Sequence, residues 1–192
     1  MKPIKKIEQD LRDIDLYFPN LKSEYIENKN LPSFVKCFNE LTDKLGRVPS
    51  QARLANYYLD NKIRFVQKKY YKFIKARVNR AYPSIVRDFH FNYLLKTYYK
   101  QPFFYSIKKD LEGTDFSVKY NSNWYYIHLL VNTYRSNRFR NKKDSRHNFE
   151  NRNRHIDLIL DFNDDKSKQV GDFFLYSKEH IKLLKSKIKD CV

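Results

Sequence analysis

Residues 115–132, DFSVKYNSNWYYIHLLVN, decide the fold. Asp115 to Tyr120 and Trp124 to Asn132 each alternate side chains at period two, and Asn121-Ser122-Asn123 between them is a hairpin loop. The alternation sets Phe116, Val118 and Tyr120 on one face with Tyr125, Ile127, Leu129 and Val131. Asp115, Ser117 and Lys119 fall on the other face, with Tyr126, His128, Leu130 and Asn132.

Working outward, Leu111-Glu112-Gly113-Thr114 reads as a turn and Phe103 to Lys108 as a strand. After the hairpin come a basic helix from Thr133 to about Ser145, strands at His155–Phe162 and Asp172–Tyr176, and a last helix from Ser177 to Lys189 with Ser177 as its N-cap. The first half is helical instead. Leu31-Pro32-Ser33 opens a helix through Leu45, where Gly46 stops it, and Ser50 caps a second helix from Gln51. This pair is either a DNA-reading helix-turn-helix or two ordinary packed helices. A longer helix is expected over Ile63–Tyr82, with Pro83-Ser84 breaking it and capping another through about Thr97. The class is therefore α+β with an α/β-like second part: a helical region at 1–83, then a small mixed sheet flanked by helices at 84–192.

Charge bounds the function. The chain has 39 Lys and Arg against 22 Asp and Glu, a formal net charge of +17, which favours a polyanionic partner. Nucleic acid, double-stranded DNA first, is the expected one; an acidic protein or an anionic membrane surface is the alternative. No stretch approaches the roughly 20 apolar residues of a membrane span, and MKPIKKIEQDL lacks the apolar core of a secretory signal. Cys37 and Cys191 stand in no metal or disulfide pattern, so the cytoplasm is the expected compartment. Heavy use of Lys, Asn, Tyr, Ile and Phe is that of an AT-rich genome, such as a low-GC bacterium or its phage.

Two segments concentrate the charge. Between Ile63 and Tyr82 there is no acidic residue, and Arg64, Lys68, Lys72 and Lys75 follow one another at helical spacing, apart from the apolar stripe of Ile63, Val66, Tyr70, Phe73, Ile74 and Val78. Thr133 to His147 is the densest basic run. On a helix Arg135, Arg138 and Lys142 share one face with Arg146 next in line, while Arg140 and Lys143 add charge beside them. Guanidinium forks suit phosphates and guanine edges, and Asn137 or Asn141 suits adenine. The 16 tyrosines and 15 phenylalanines permit base stacking, although burial is the simpler use for them.

The order from Ser84 onward is helix, strand, two-stranded hairpin, basic helix, strand, strand, helix. With Asp115 in Glu112-Gly113-Thr114-Asp115-Phe116, it resembles the PD-(D/E)XK nuclease superfamily, the core shared by many restriction enzymes. The resemblance spans residues 84–192 and implies an αβββαβ core. It also implies that Asp115 binds a divalent cation, Mg²⁺, for phosphodiester hydrolysis, and that the chain forms a homodimer, since restriction-type cores often pair. In that family a Glu or Gln two residues before a Lys completes the site on the second hairpin strand. This chain has His128-Leu129-Leu130 there, so both the second carboxylate and the lysine are missing. Lys119 is a candidate replacement cation, Glu112 (or Asp110) a migrated carboxylate ligand, and His128 a general base. Otherwise Asp115 is a strand-opening turn residue and His128 a hydrogen-bonded histidine. The function is then either an altered metal-dependent endonuclease or a non-catalytic protein, a regulator or mobile-element component, that keeps the core to grip nucleic acid.

Overall fold

A computed structural model describes residues 3–20, 31–63, 66–105, 114–133 and 152–191. The chain forms two compact units. One comprises Met1–Arg87 with Val170–Phe173, the other Asp88–Gln169 with Phe174–Val192. The class is α+β, with helices first and the sheet later.

The first unit is helical because its caps and apolar spacings agree. Helix α1, Ile4–Arg12, buries Ile7 and Leu11, a stripe not among the sequence expectations. Helix α2, Phe34–Leu45, starts where Ser33 Oγ accepts the Lys36 N–H at 3.2 Å, and stops at Gly46, whose φ of 67° suits a residue without Cβ. Helix α3, Gln51–Lys62, is capped likewise by Ser50, and its buried Leu54, Ala55, Tyr58 and Leu59 face the core. Tyr58 stands edge-on to Phe34 at 4.8 Å, and its hydroxyl donates to the Pro32 carbonyl at 2.7 Å.

Two expectations fail here. No helix begins at Ile63: that residue is buried at the end of α3, so the apolar stripe loses its first member to another element. After a 3₁₀ turn at Lys68–Tyr70, helix α4 starts at Tyr71. Nor does Pro83 break it. Helix α4 runs through the proline to Leu94 and closes in a π turn, Leu95–Tyr99. Proline has no N–H for the carbonyl four residues earlier, that of Asn79. The buried Gln51 amide donates to that carbonyl at 2.7 Å instead.

The second unit is built on a four-stranded sheet in the order β1-β2-β3-β4: Phe103–Phe104, Phe116–Tyr120, Asn123–Val131 and His155–Leu160. Strands β1 to β3 are antiparallel, and β4 runs parallel to β3. The hairpin turn is two residues, Asn121 and Ser122, both at positive φ, the geometry that matches strand twist. Its register pairs Phe116 with Ile127 and Val118 with Tyr125, so these four buried side chains share the face expected from the alternation. Phe91 of α4 sits between Phe116 and Tyr176, 5.3 and 5.2 Å from their rings, and the Tyr176 hydroxyl donates to the Leu130 carbonyl at 2.9 Å. Helix α5, Lys178–Asp190, has Ser177 as its N-cap as expected, with Ile181, Leu184 and Ile188 buried.

The expected strand at 172–176 is β6, Phe173–Leu175, and it does not join this sheet. It pairs with β5, Lys168–Val170, a strand not among the sequence expectations. The hairpin tip belongs to the first unit, where a Cβ on Gly171 would stand 3.1 Å from the Leu11 carbonyl and Asp172 accepts the Leu16 N–H at 2.8 Å. Of the expected strand at 103–108, residues 106–108 lie outside the described residues, as does nearly all of the basic helix at 133–145. No described helix is long and apolar enough to cross a membrane.

Candidate nucleic-acid interface and sheet site

Asp115 immediately precedes β2. Its N–H donates to the Ile127 carbonyl at 3.1 Å and its carboxylate accepts the Leu129 N–H at 2.5 Å, so both ends of the residue are fastened to β3. On β3, His128 Nε2 lies 2.9 Å from His155 Nδ1 at the start of β4. The ring centroids are 5.2 Å apart with planes 17° from parallel. That separation is the N···N distance plus the radii of both rings, so the imidazoles lie end to end and nearly coplanar rather than face to face. One nitrogen donates and the other accepts, which requires complementary tautomers. His155 stacks on Tyr126 at 4.8 Å, and Asp157 occupies the register position across from His128.

The parallel register brings these groups together, and no local pattern encodes it. His155 and Asp157 alternate on β4 as His128 does on β3, but which residues meet across two strands separated by more than twenty residues is not readable from either strand alone. Lys119 is not brought in. Four residues of extended strand separate it from Asp115 by about 13 Å, and it pairs with Trp124 beside the hairpin turn.

Among the described residues, the donors beside Asp115 do not make the oxygen set that Mg²⁺ prefers. The Asp115 carboxylate is engaged by a backbone N–H and the neighbouring groups are two mutually bonded imidazoles. Among the described residues no three His, Cys, Asp or Glu are arranged to hold a metal. Glu112 lies outside the described residues.

In the first unit, Lys68, Lys69, Lys72 and Lys75 are all exposed, on the 3₁₀ turn and the opening turns of α4, while Ile74, Ala76 and Val78 are buried. Two of the ammonium groups lie over aromatic rings: Lys69 Nζ is 5.1 Å from the Tyr70 ring and Lys72 Nζ 5.1 Å from that of Phe73. In the same unit, α2 and α3 line an open groove of about 490 Å³ with Lys44, Ser50, Arg53, Asn56 and Asn61. Arg64, Arg135, Arg138, Arg140, Lys142, Lys143 and Arg146, the other expected contacts, lie outside the described residues.

Compared with known proteins, this chain matches no family, no curated protein and no solved structure.

Proposed function

We propose that this protein binds nucleic acid, duplex DNA being the first ligand to test, through the lysines gathered where α4 begins. One electrostatic observation carries the reading. A helix N-terminus concentrates positive partial charge and ordinarily attracts acidic side chains. This one instead carries four exposed lysines, with no acidic residue anywhere from 61 to 87. Such an end repels itself unless an anion lies against it, and a phosphate backbone is an anion of the right extent. The groove between α2 and α3, with Arg53 and Asn56 on the exposed side of the second helix, supplies side chains of the types that read base edges.

The test is a salt titration of binding to a labelled duplex. Affinity should fall steeply with salt, and replacing Lys68, Lys72 and Lys75 with Ala should reduce the log–log slope by about three, roughly 0.9 for each phosphate no longer neutralised. An unchanged affinity and slope would remove this surface from the reading. The Arg138→Ala/Lys142→Ala pair asks the same of the basic run at 133–147.

A second reading is a nuclease-type core, active through an altered site or kept only to grip its ligand. Two observations support it. β3 and β4 are parallel, which requires a crossover connection between them, at the place where the αβββαβ order has its second helix. Asp115 stands at the start of the second strand with its carboxylate against β3. Plasmid incubated with Mg²⁺ or Mn²⁺ separates the two forms of this reading: an active site nicks it and loses the nicking in Asp115→Ala, whereas a core kept only for grip leaves it intact; cleavage that survives the substitution rules Asp115 out.

A further inference from the structure

The second unit carries another basic face, outside every segment that the charge pattern of the sequence singled out. Lys178, Lys182, Lys185 and Lys189 recur on α5 at spacings of four, three and four, so they form one stripe. That stripe borders the π turn at the end of α4. Lys185 Nζ donates to the Tyr98 carbonyl at 3.0 Å, and Lys178 Nζ lies 5.8 Å from the Tyr98 ring. From the π turn itself, Lys96 is exposed, with its Nζ 4.9 Å from the Tyr93 ring.

Part of this arrangement is structural. A π turn ends with carbonyls that its own helix does not bond, and a cation at a helix C-terminus satisfies both the carbonyl and the dipole, which accounts for Lys185. Lys182 pairs with Glu179 at 2.9 Å. Neither role accounts for Lys96 and Lys178. Each is exposed and each sets its ammonium over a half-buried tyrosine, a contact that leaves the charge unneutralised. Cations beside aromatic rings are what a phosphodiester backbone with unstacked bases needs, and π turns recur at functional sites.

We infer that the face formed by the π turn and α5 is a second nucleic-acid contact, with Lys96 and Lys178 on phosphates and Tyr93 and Tyr98 beside the bases. The inference rests on the nucleic-acid-binding reading and adds a surface on the other unit.

The experiment is fluorescence anisotropy with labelled duplex and single-stranded DNA over a range of salt, comparing the full chain with Lys96→Glu/Lys178→Glu. The double variant should bind about tenfold more weakly at low salt, and its slope on duplex should be smaller by about two. If the wild-type chain binds and the variant matches it on both ligands, this face is overturned while the α4 lysines stand. If the wild-type chain binds neither ligand, the nucleic-acid reading itself fails and this inference with it. Circular dichroism checks folding. Should the Glu variant unfold, Lys96→Gln/Lys178→Gln gives the same slope test with less repulsion. Phosphatidylserine vesicles form the last arm: loss of vesicle binding with DNA binding intact would assign the face to a membrane and overturn the proposal.

Discussion

The side-chain amide of Gln51 donates at 2.7 Å to the backbone carbonyl of Asn79, the carbonyl that Pro83 cannot serve. The same side chain accepts the Tyr17 N–H at 2.7 Å, and Gln51 is 4% exposed, so water does not replace the bond to Asn79. A residue at the first position of α3 thereby lets α4 continue through a proline.

Gln51→Met keeps the length of the side chain and removes both bonds. It should destabilise the protein by about 1–3 kcal/mol, the cost of leaving a buried backbone polar group unpaired. Pro83→Ala restores an N–H opposite the Asn79 carbonyl, so the Gln51→Met penalty should be smaller in that background. Denaturant unfolding of the four proteins measures the coupling. Strictly additive effects would mean that the amide does not act through the proline's missing donor.

His180 gives the fold a pH dependence whose sign follows from its surroundings. Its Nδ1 accepts the Ser177 N–H at 3.1 Å, completing the capping box of α5, so it must be unprotonated there. Burial holds the imidazole below its usual value of 6.5, with Lys166 pushing the same way and Asp164 and Glu179 opposing. The unfolded chain therefore binds a proton at higher pH than the folded one, and stability falls as pH drops below 6.5 until the folded histidine also protonates. His180→Asn should reduce this slope between neutrality and the lowered value. Thermal melts across that window check it, and an identical slope in the variant would assign the acid sensitivity to other groups.

What could be read from the chain in advance was local. Ser33, Gly46, Ser50 and Ser177 mark helix ends because a cap acts within three residues. The hairpin was legible because alternation and a short polar loop are both short-range, although the loop was read as Asn121–Asn123 and Asn123 instead opens β3, paired with Tyr120. The continuity of α4 was not, since its donor lies 28 residues away on another helix. The site divides in the same way. Asp115 and His128 stood out in the reading of the hairpin, but His155 and Asp157 join them only through the parallel register, which a connection of more than twenty residues leaves unset. Lys119 stands apart from Asp115 for a simpler reason: a shared face is not a shared position along a strand.

The two cysteines should differ sharply in reactivity. Cys37 is buried on α2, and burial pushes its thiol up to about 11, Glu40 adding to the rise and Lys62 opposing it. The thiolate is the reacting species, so a disulfide reagent at neutral pH should label Cys191, which is exposed, within the mixing phase. Cys37 should react only at the rate of local or global opening, faster as denaturant is added. Two equally fast thiols in the native protein would show that α2 opens readily.

The His128–His155 bond ties the start of β4 to the middle of β3, and its end-to-end geometry can be separated from the ring stack beside it. His155→Phe keeps an aromatic ring against Tyr126 and removes the nitrogen that meets His128. A cycle with His128→Phe should yield a coupling of about 0.5–1.5 kcal/mol, the usual net worth of a hydrogen bond. Long-range ¹⁵N–¹H spectra give a sharper readout. At neutral pH the facing nitrogens, His128 Nε2 and His155 Nδ1, should appear as one protonated and one bare, and the His128 pattern should change when His155 is replaced. The bond also sets a limit: two imidazolium rings would point donors at each other, so the pair must part when both are charged. Acidification should therefore perturb the amides of Tyr126 to His128 together with those of His155 to Asp157. If the His128 resonances are indifferent to His155→Phe, the rings meet only by packing.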